Sequence, residues 1–255
     1  MNRNIFIALG AVVLIAAGWF VYEIIDTDAP DAVSTDAALE QLQTEAAEAD
    51  GVDSATVEVE ADPVSLTADS IESTWVVDDE FGEFGFDNAS GSFAGFRVEK
   101  EFFSGQNATA VGRTGGVTGQ VVIGSGELSA AEITVDMTQM VSDDSAREGA
   151  INDAIKVDEH ATGSFLVAEA VALDTDALAA GETVTVDVTG ALTIAGATNQ
   201  VTIPIEATIV EDGLGLIVGS ADLVWADYGV ETPQSSVADV ADEGILEFQL
   251  IVQIG

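Results

Sequence analysis

Residues 183–209 read TVTVDVTGALTIAGATNQVTIPIEATI, and two parts of this stretch alternate between apolar and polar side chains. Val184, Val186 and Val188 alternate with Thr183, Thr185, Asp187 and Thr189. Beyond the turn signal Ala195-Gly196, Val201, Ile203, Ile205 and Ile209 alternate with Thr202, Pro204, Glu206 and Thr208. A period of two sends one set of side chains to each face of a strand, so this is the pattern of half-buried antiparallel strands. The same period runs through Ile133, Val135 and Met137, and through Leu246, Phe248, Leu250 and Val252. By parity Val188, Ile205 and Phe248 point inward, and Asp187, Glu206 and Glu247 point to solvent. Turn signals at Asn88–Gly91, Gly115-Gly116, Gly124–Gly126 and Glu211–Gly213 separate further segments of this kind. Ser142 to Lys156 is different: it lacks alternation, and Asp143-Asp-Ser-Ala-Arg-Glu148 reads as a helix start. Many strands, regular turns and one short helical insertion predict an all-β barrel or sandwich over 73–255.

The charge of the chain excludes whole classes of partner. Its 255 residues carry 46 Asp and Glu against 6 Lys and Arg, a formal net charge of −40. Such a surface repels nucleic-acid phosphate and anionic lipid headgroups. With no cysteine and one histidine, thiolate chemistry, disulfides and multi-histidine metal sites are excluded, and no cofactor is expected. Self-repulsion on this scale favours high ionic strength; solubility alone is the other explanation. Hydrophobic residues at 47% are ample for a core, so the charge does not signal general disorder.

The amino-terminal third divides in two. Ile5 to Ile25 is almost wholly apolar and as a helix is about 31 Å long, enough to cross a hydrocarbon core. Arg3 precedes it and Asp26 and Asp28 follow, an asymmetry that puts the N-terminus in the cytoplasm and the rest of the chain outside. Glu23-Ile-Ile-Asp26 makes a poor cleavage site, which favours a transmembrane signal anchor over residues 1–25 rather than a cleaved signal peptide. Residues 26–72 hold fourteen acidic residues and no Lys or Arg. They read as an acidic disordered linker, with at most a transient helix over Ala37 to Ala49.

Several pieces in order resemble the YceI-like family of lipocalin-like polyisoprenoid-binding proteins. Trp75-Val-Val-Asp78 resembles the opening strand, and Val111-Gly-Arg-Thr-Gly-Gly-Val-Thr-Gly119 the strand pair that follows. Val135-Asp-Met137 leads into Ser142–Glu148, similar to the family's helical insertion, and His160-Ala-Thr-Gly-Ser-Phe165 stands where the family often has a Pro-x-Ala-x-Phe strand entry. Thr189–Thr198 followed by Val201-Thr-Ile-Pro-Ile205 is the most specific match, to a Gly-x-Leu-Thr-x-x-Gly-x-Thr hairpin, and Asp227-Tyr-Gly229 before a hydrophobic last strand completes the series. The resemblance implies an extended antiparallel lipocalin-like β-barrel over 73–255 whose apolar lumen holds an isoprenoid or other long-chain lipid, without catalysis. Many members are dimeric, so a homodimer is one option that it carries.

From the alternation, the candidate ligand-binding residues are Val135, Met137, Phe165, Val186, Val188, Ile203, Ile205, Leu223, Trp225, Phe248 and Leu250. Periodicity alone does not separate an open lumen from one filled by its own side chains. A filled barrel would serve as an interaction module. Arg147 has two readings: an ion pair within the insertion, or a polar group at the barrel mouth that orients a headgroup. Arg113 has the same two. No partner for nucleophilic catalysis accompanies His160, and no Gly-x-Ser-x-Gly occurs. Gly112–Gly119 lacks the Gly-Lys-Ser/Thr of a phosphate loop. Asp78-Asp79 is an expected pair on a solvated face, and two glycosylation sequons, Asn88-Ala-Ser90 and Asn107-Ala-Thr109, are within chance.

Overall fold

In the computed structural model, residues 29–49, 66–78, 81–143, 145–211, 213–233 and 238–255 are described. The alternating segments become strands β1 (Thr74–Val77), β2 (Phe93–Phe102), β3 (Asn107–Thr114), β4 (Val117–Gly124), β5 (Glu127–Asp136), β6 (Thr162–Val167), β7 (Val171–Ala172), β8 (Val184–Ile194), β9 (Ala197–Glu211), β10 (Leu214–Val224), β11 (Ala238–Val240) and β12 (Glu243–Ile254). All pairings are antiparallel. The order β1-β4-β5-β6-β8-β9-β10-β12 closes on itself because β12 also pairs with β1. The result is an eight-strand barrel in which each of these strands has a strand neighbour on both sides; among the described residues β3, off this ring, pairs with β2 alone apart from an isolated bridge between Arg113 and Val141.

Two positions in the ring are each built from two strands. β12 pairs with β1 at Val252–Ile254 and with β2 at Ile245–Gln249. β4 lies beside β1, and β3 lies beside β2. The chain leaves the sheet after β1, returns at β2, and bends between β3 and β4 at Gly115-Gly116. Ser92 repairs the gap this excursion opens. Its hydroxyl accepts from the Ile251 N–H at 2.9 Å and donates to the Asp78 carbonyl at 3.1 Å, so a buried backbone donor keeps a partner.

The helices cover the ends and one outer face. α1 (Thr35–Ala49) precedes the barrel, α2 (Ala68–Ile71) leads into β1, α3 (Ser145–Ile155) follows β5, and α4 (Thr175–Ala179) precedes β8. The helix expected near Ser142 to Lys156 is α3. Ile71 of α2 and Leu178 of α4 join the interior cluster around Trp75, Val121 and Val188, and the Trp75 indole donates to the Ile71 carbonyl at 3.0 Å.

The barrel carries a second layer where the sequence reading placed solvent and a disordered linker. α1 is a helix whose Ala38 and Leu42 are buried against Leu214, Leu216, Val218 and Ile251 on the outside of the barrel. The reason lies in β10: Leu214-Gly-Leu-Ile-Val218 is apolar at both parities, so its outer face also needs cover. Ile71 is fully buried, so the packed unit begins before Ser73.

Glu247 corrects the parity reading in the same way. It points outward, but it is only 1% exposed, beneath the segment that precedes α1. Asp187 and Glu206 are exposed as expected, and Thr35 donates to Glu206. The Ile5–Ile25 span lies outside the described residues; among the described residues, no helix is long and apolar enough to cross a membrane.

Candidate ligand cavity in the barrel

Inward-pointing residues do not fill the lumen. A cavity of about 440 Å³ occupies the end next to α3, and a separate void of about 50 Å³ lies deeper. The larger volume is within the range of small-molecule sites, roughly 300–1,000 Å³. Its walls are β2, β3, β5, β6, β8–β12 and one face of α3. Ile133, Phe165, Ile203, Phe248 and Leu250 border both spaces and stand between them.

Of the residues predicted from alternation, Val135, Met137, Phe165, Ile203, Leu223, Trp225, Phe248 and Leu250 line the large cavity, as does Arg147. Val188 and Ile205 line only the small void. Val186 lines neither and packs against the interior cluster. The structure therefore brings most of these residues to one space and sets three apart at the far end.

Local chemistry holds several walls in place. Asp136 ends β5: its carboxylate accepts from the Thr138 N–H at 2.9 Å and from Gln139 Nε2 at 2.7 Å, and it also accepts from the Thr138 hydroxyl. The hydrogen bonds from Thr138 and then Gln139 hold this carboxyl below the usual range. The turn they stabilise carries Met137 to the cavity wall. Trp225 reaches the wall because Gly244 has no β-carbon; one there would lie 2.1 Å from the indole. Phe96 meets Trp225 edge-to-face at 5.6 Å between centroids, a favoured aromatic geometry.

α3 closes one side of the cavity with Arg147, Ala150, Ile151, Ala154 and Ile155. That spacing is one face of a helix. Ser142, just ahead of the helix, donates its hydroxyl to the Val111 carbonyl at 2.6 Å, and its N–H donates to Glu148 at 3.2 Å. Lys156 Nζ donates to the Gly229 carbonyl at 3.4 Å, beyond the other end. Ala150, Ile151, Ala154 and Ile155 were not identified from the sequence, although their spacing was there to be read. Phe96, Val98 and Phe102 on β2 were missed as well.

The charge of the lining is the inverse of the charge of the chain. Among the described residues, no Asp or Glu lines the cavity, and the charged members are Lys100 and Arg147. Arg147 pairs with Asp143 one turn earlier, and burial pushes its guanidinium below the usual value. Lys100 Nζ also lies 5.6 Å from the centroid of the Phe102 ring. Arg113, by contrast, faces away from the lumen and forms an ion pair on the outside. His160 is half-buried, with its ring against the turn at Gly196. Among the described residues, no cluster of three or more His, Cys, Asp and Glu could hold a metal ion.

No curated protein matches the chain. Among solved structures, a polyisoprenoid binding domain from Saccharophagus degradans implicated in plant cell wall breakdown is similar with a TM-score of 0.51 and 16% identity, over 64% of this chain and 98% of that one. BcnA of Burkholderia cenocepacia is similar at a TM-score of 0.46 and 21% identity, over 61% and 95% of the two chains. The YceI protein of Campylobacter jejuni matches at 0.40 and 17%, over 55% and 83%. The model of the YceI-like domain matches residues 75–252, a span that runs from the closing strand β1 through β12 and takes in every wall of the cavity. The chain belongs to the family of YceI-like domains.

Proposed function

We propose that this protein is a membrane-anchored, extracytoplasmic lipid-binding protein that holds an isoprenoid or acyl chain in its lumen. One observation carries the reading: a cavity of about 440 Å³ walled by apolar side chains, whose charged members among the described residues are both cationic in a chain of net charge −40. Each methylene buried there contributes about 0.8 kcal/mol, so a single chain suffices for tight binding and no catalytic group is needed. Arg147 and Lys100 would meet a polar or anionic head. The polyisoprenoid binding described for the Saccharophagus degradans relative fits the same class of ligand. A filled barrel would instead suit an interaction module, and the open cavity favours the carrier over it.

The anchor and the location rest on the sequence. The apolar run Ile5–Ile25, with Arg3 before it and Asp26 and Asp28 after it, supports a single-pass anchor with the barrel outside the cytoplasm. Native mass spectrometry of the full chain, extracted gently from membranes, tests the carrier. A co-purified hydrophobic mass that is lost on denaturation is the expected result. Its absence, together with no uptake of added fatty acid or prenol by the purified protein, would overturn it.

A further inference from the structure

We propose that Phe165 and Phe248 form a floor that sets the length of chain the lumen accepts. The proposal rests on the carrier reading above and adds a specificity to it. Both phenyl groups border the large cavity and the small void beneath it, together with Ile133, Ile203 and Leu250. The barrel interior is thus interrupted by side chains, although its backbone continues past them.

Each ring is laid against an inward glycine of the neighbouring strand. Gly219 pairs directly with Phe248, and a β-carbon at Gly219 would lie 2.5 Å from the ring tip. Gly190 sits beside β6, and a β-carbon there would lie 2.3 Å from the tip of Phe165. Occupying the place of a missing side chain limits where a ring can go, because neighbouring walls are close-packed. Beneath the floor lie Val121, Val188, Ile205 and Ile217, which line only the small void. A chain entering beside α3 therefore stops at the two phenyl groups. Removing one would join the spaces.

The test is a binding series of straight-chain fatty acids from decanoic to tetracosanoic acid, read by displacement of a fluorescent fatty acid from the delipidated full chain. Below the limit, each added methylene should strengthen binding by roughly fourfold; beyond it, affinity should stop rising. In Phe248→Ala that break should move to longer acids. Gly219→Ala keeps every core side chain and presses the ring into the lumen, so its break should move to shorter acids; it also carries the test if the first variant fails to fold. Val188→Ala enlarges only the lower void and should leave the break where it was. An unmoved break in both Phe248→Ala and Gly219→Ala overturns the floor while leaving the carrier intact, and a longer limit in Val188→Ala does the same. Binding of no acid of any length by the unaltered protein overturns the floor, and if the protein takes up no prenol either, the carrier falls with it.

Discussion

Arg113 and Glu247 form a buried ion pair across a strand that belongs to neither of them. Arg113 lies on β3 and Glu247 on β12, and both are register partners of Gly95 on the intervening β2. The pair meets at 2.7 Å between Nη2 and Oε1, with Nε donating to the same oxygen at 2.9 Å. A β-carbon at Gly95 would stand 2.8 Å from Cγ of Arg113 and 2.3 Å from the Gly112 carbonyl oxygen, so only glycine leaves the passage open. Remaining donors of the guanidinium go to the carbonyls of Asp31 at 2.8 Å and Phe86 at 3.2 Å, and its face lies 4.7 Å from the Phe93 centroid. Glu247 also receives the Val33 N–H at 3.4 Å and faces Arg97 at 3.5 Å.

Because the pair is almost fully enclosed, removing one partner strands the other. Glu247→Ala should cost about 3–5 kcal/mol in denaturant unfolding. Glu206→Gln, on the exposed outer face of β9, retains an acceptor for Thr35 and should stay within about 0.5 kcal/mol. Equal, small effects for the two would show that Glu247 is solvated, as its place in an alternating strand first suggests.

The segment before the family domain should contribute to stability. Leu42 fills the outer layer over β10 and β12, and a buried leucine cut to alanine typically costs about 2–5 kcal/mol. Leu42→Ala should therefore destabilise the protein, and a chain begun at Ser73 should unfold at lower denaturant than one begun at Ala29. It loses the Asp31 and Val33 contacts to the ion pair and leaves Ile71 out of the core. Identical midpoints for the two chains would contradict the outer layer.

What was legible in the sequence follows from how each strand is buried. β8 and β9 could be read because Val186, Val188, Ile203 and Ile205 face the interior while Thr185, Asp187 and Glu206 meet water. β10 and the end of β12 are apolar on both parities at Leu214-Gly-Leu-Ile-Val218 and Leu250-Ile-Val252. That is the mark of two buried faces, but it does not say which segment supplies the cover. The cover of Glu247 comes from 214 residues away at Val33, a separation over which period carries no information. The floor was illegible for another reason. It depends on Phe165 and Phe248 lying against Gly190 and Gly219, a cross-strand match set by register. The α3 wall was readable at 147, 150, 151, 154 and 155, yet its alanines carry little hydrophobic signal.

Two substitutions to phenylalanine should separate the cavity from the packed end. Ala154 faces the large cavity from α3 and Val188 is buried at the small void. Ala154→Phe should place its ring in open volume, leaving the melting temperature nearly unchanged while co-purified lipid is lost. Val188→Phe has only about 50 Å³ beside it and should cost ~1–3 kcal/mol through strain, with lipid retained above the floor. The reverse pattern would mean that the chain occupies the lower end of the barrel.

Salt should act most strongly on the outer layer. The chain's net charge is −40, and residues 26–72 contribute fourteen acids without a single Lys or Arg. α1 therefore sits on a barrel of the same sign, held by Ala38, Leu42 and the contacts at Asp31, Val33 and Thr35. Its own Asp36 and Glu40 oppose that attachment. At about 0.01 M salt the screening length is roughly 30 Å and the repulsion spans the whole interface; near 1 M it falls to roughly 3 Å. The Arg113–Glu247 pair beneath is enclosed and much less screened, so added salt should remove more repulsion than attraction. Limited proteolysis within 37–44 should slow as sodium chloride rises, while the barrel strands stay resistant throughout. Glu247→Gln should speed cleavage at every salt concentration and keep the same slope, because it removes attraction without altering the distant like charges. Cleavage that quickens with salt would mean that ion pairs, rather than the apolar contacts of Ala38 and Leu42, hold α1 to the barrel.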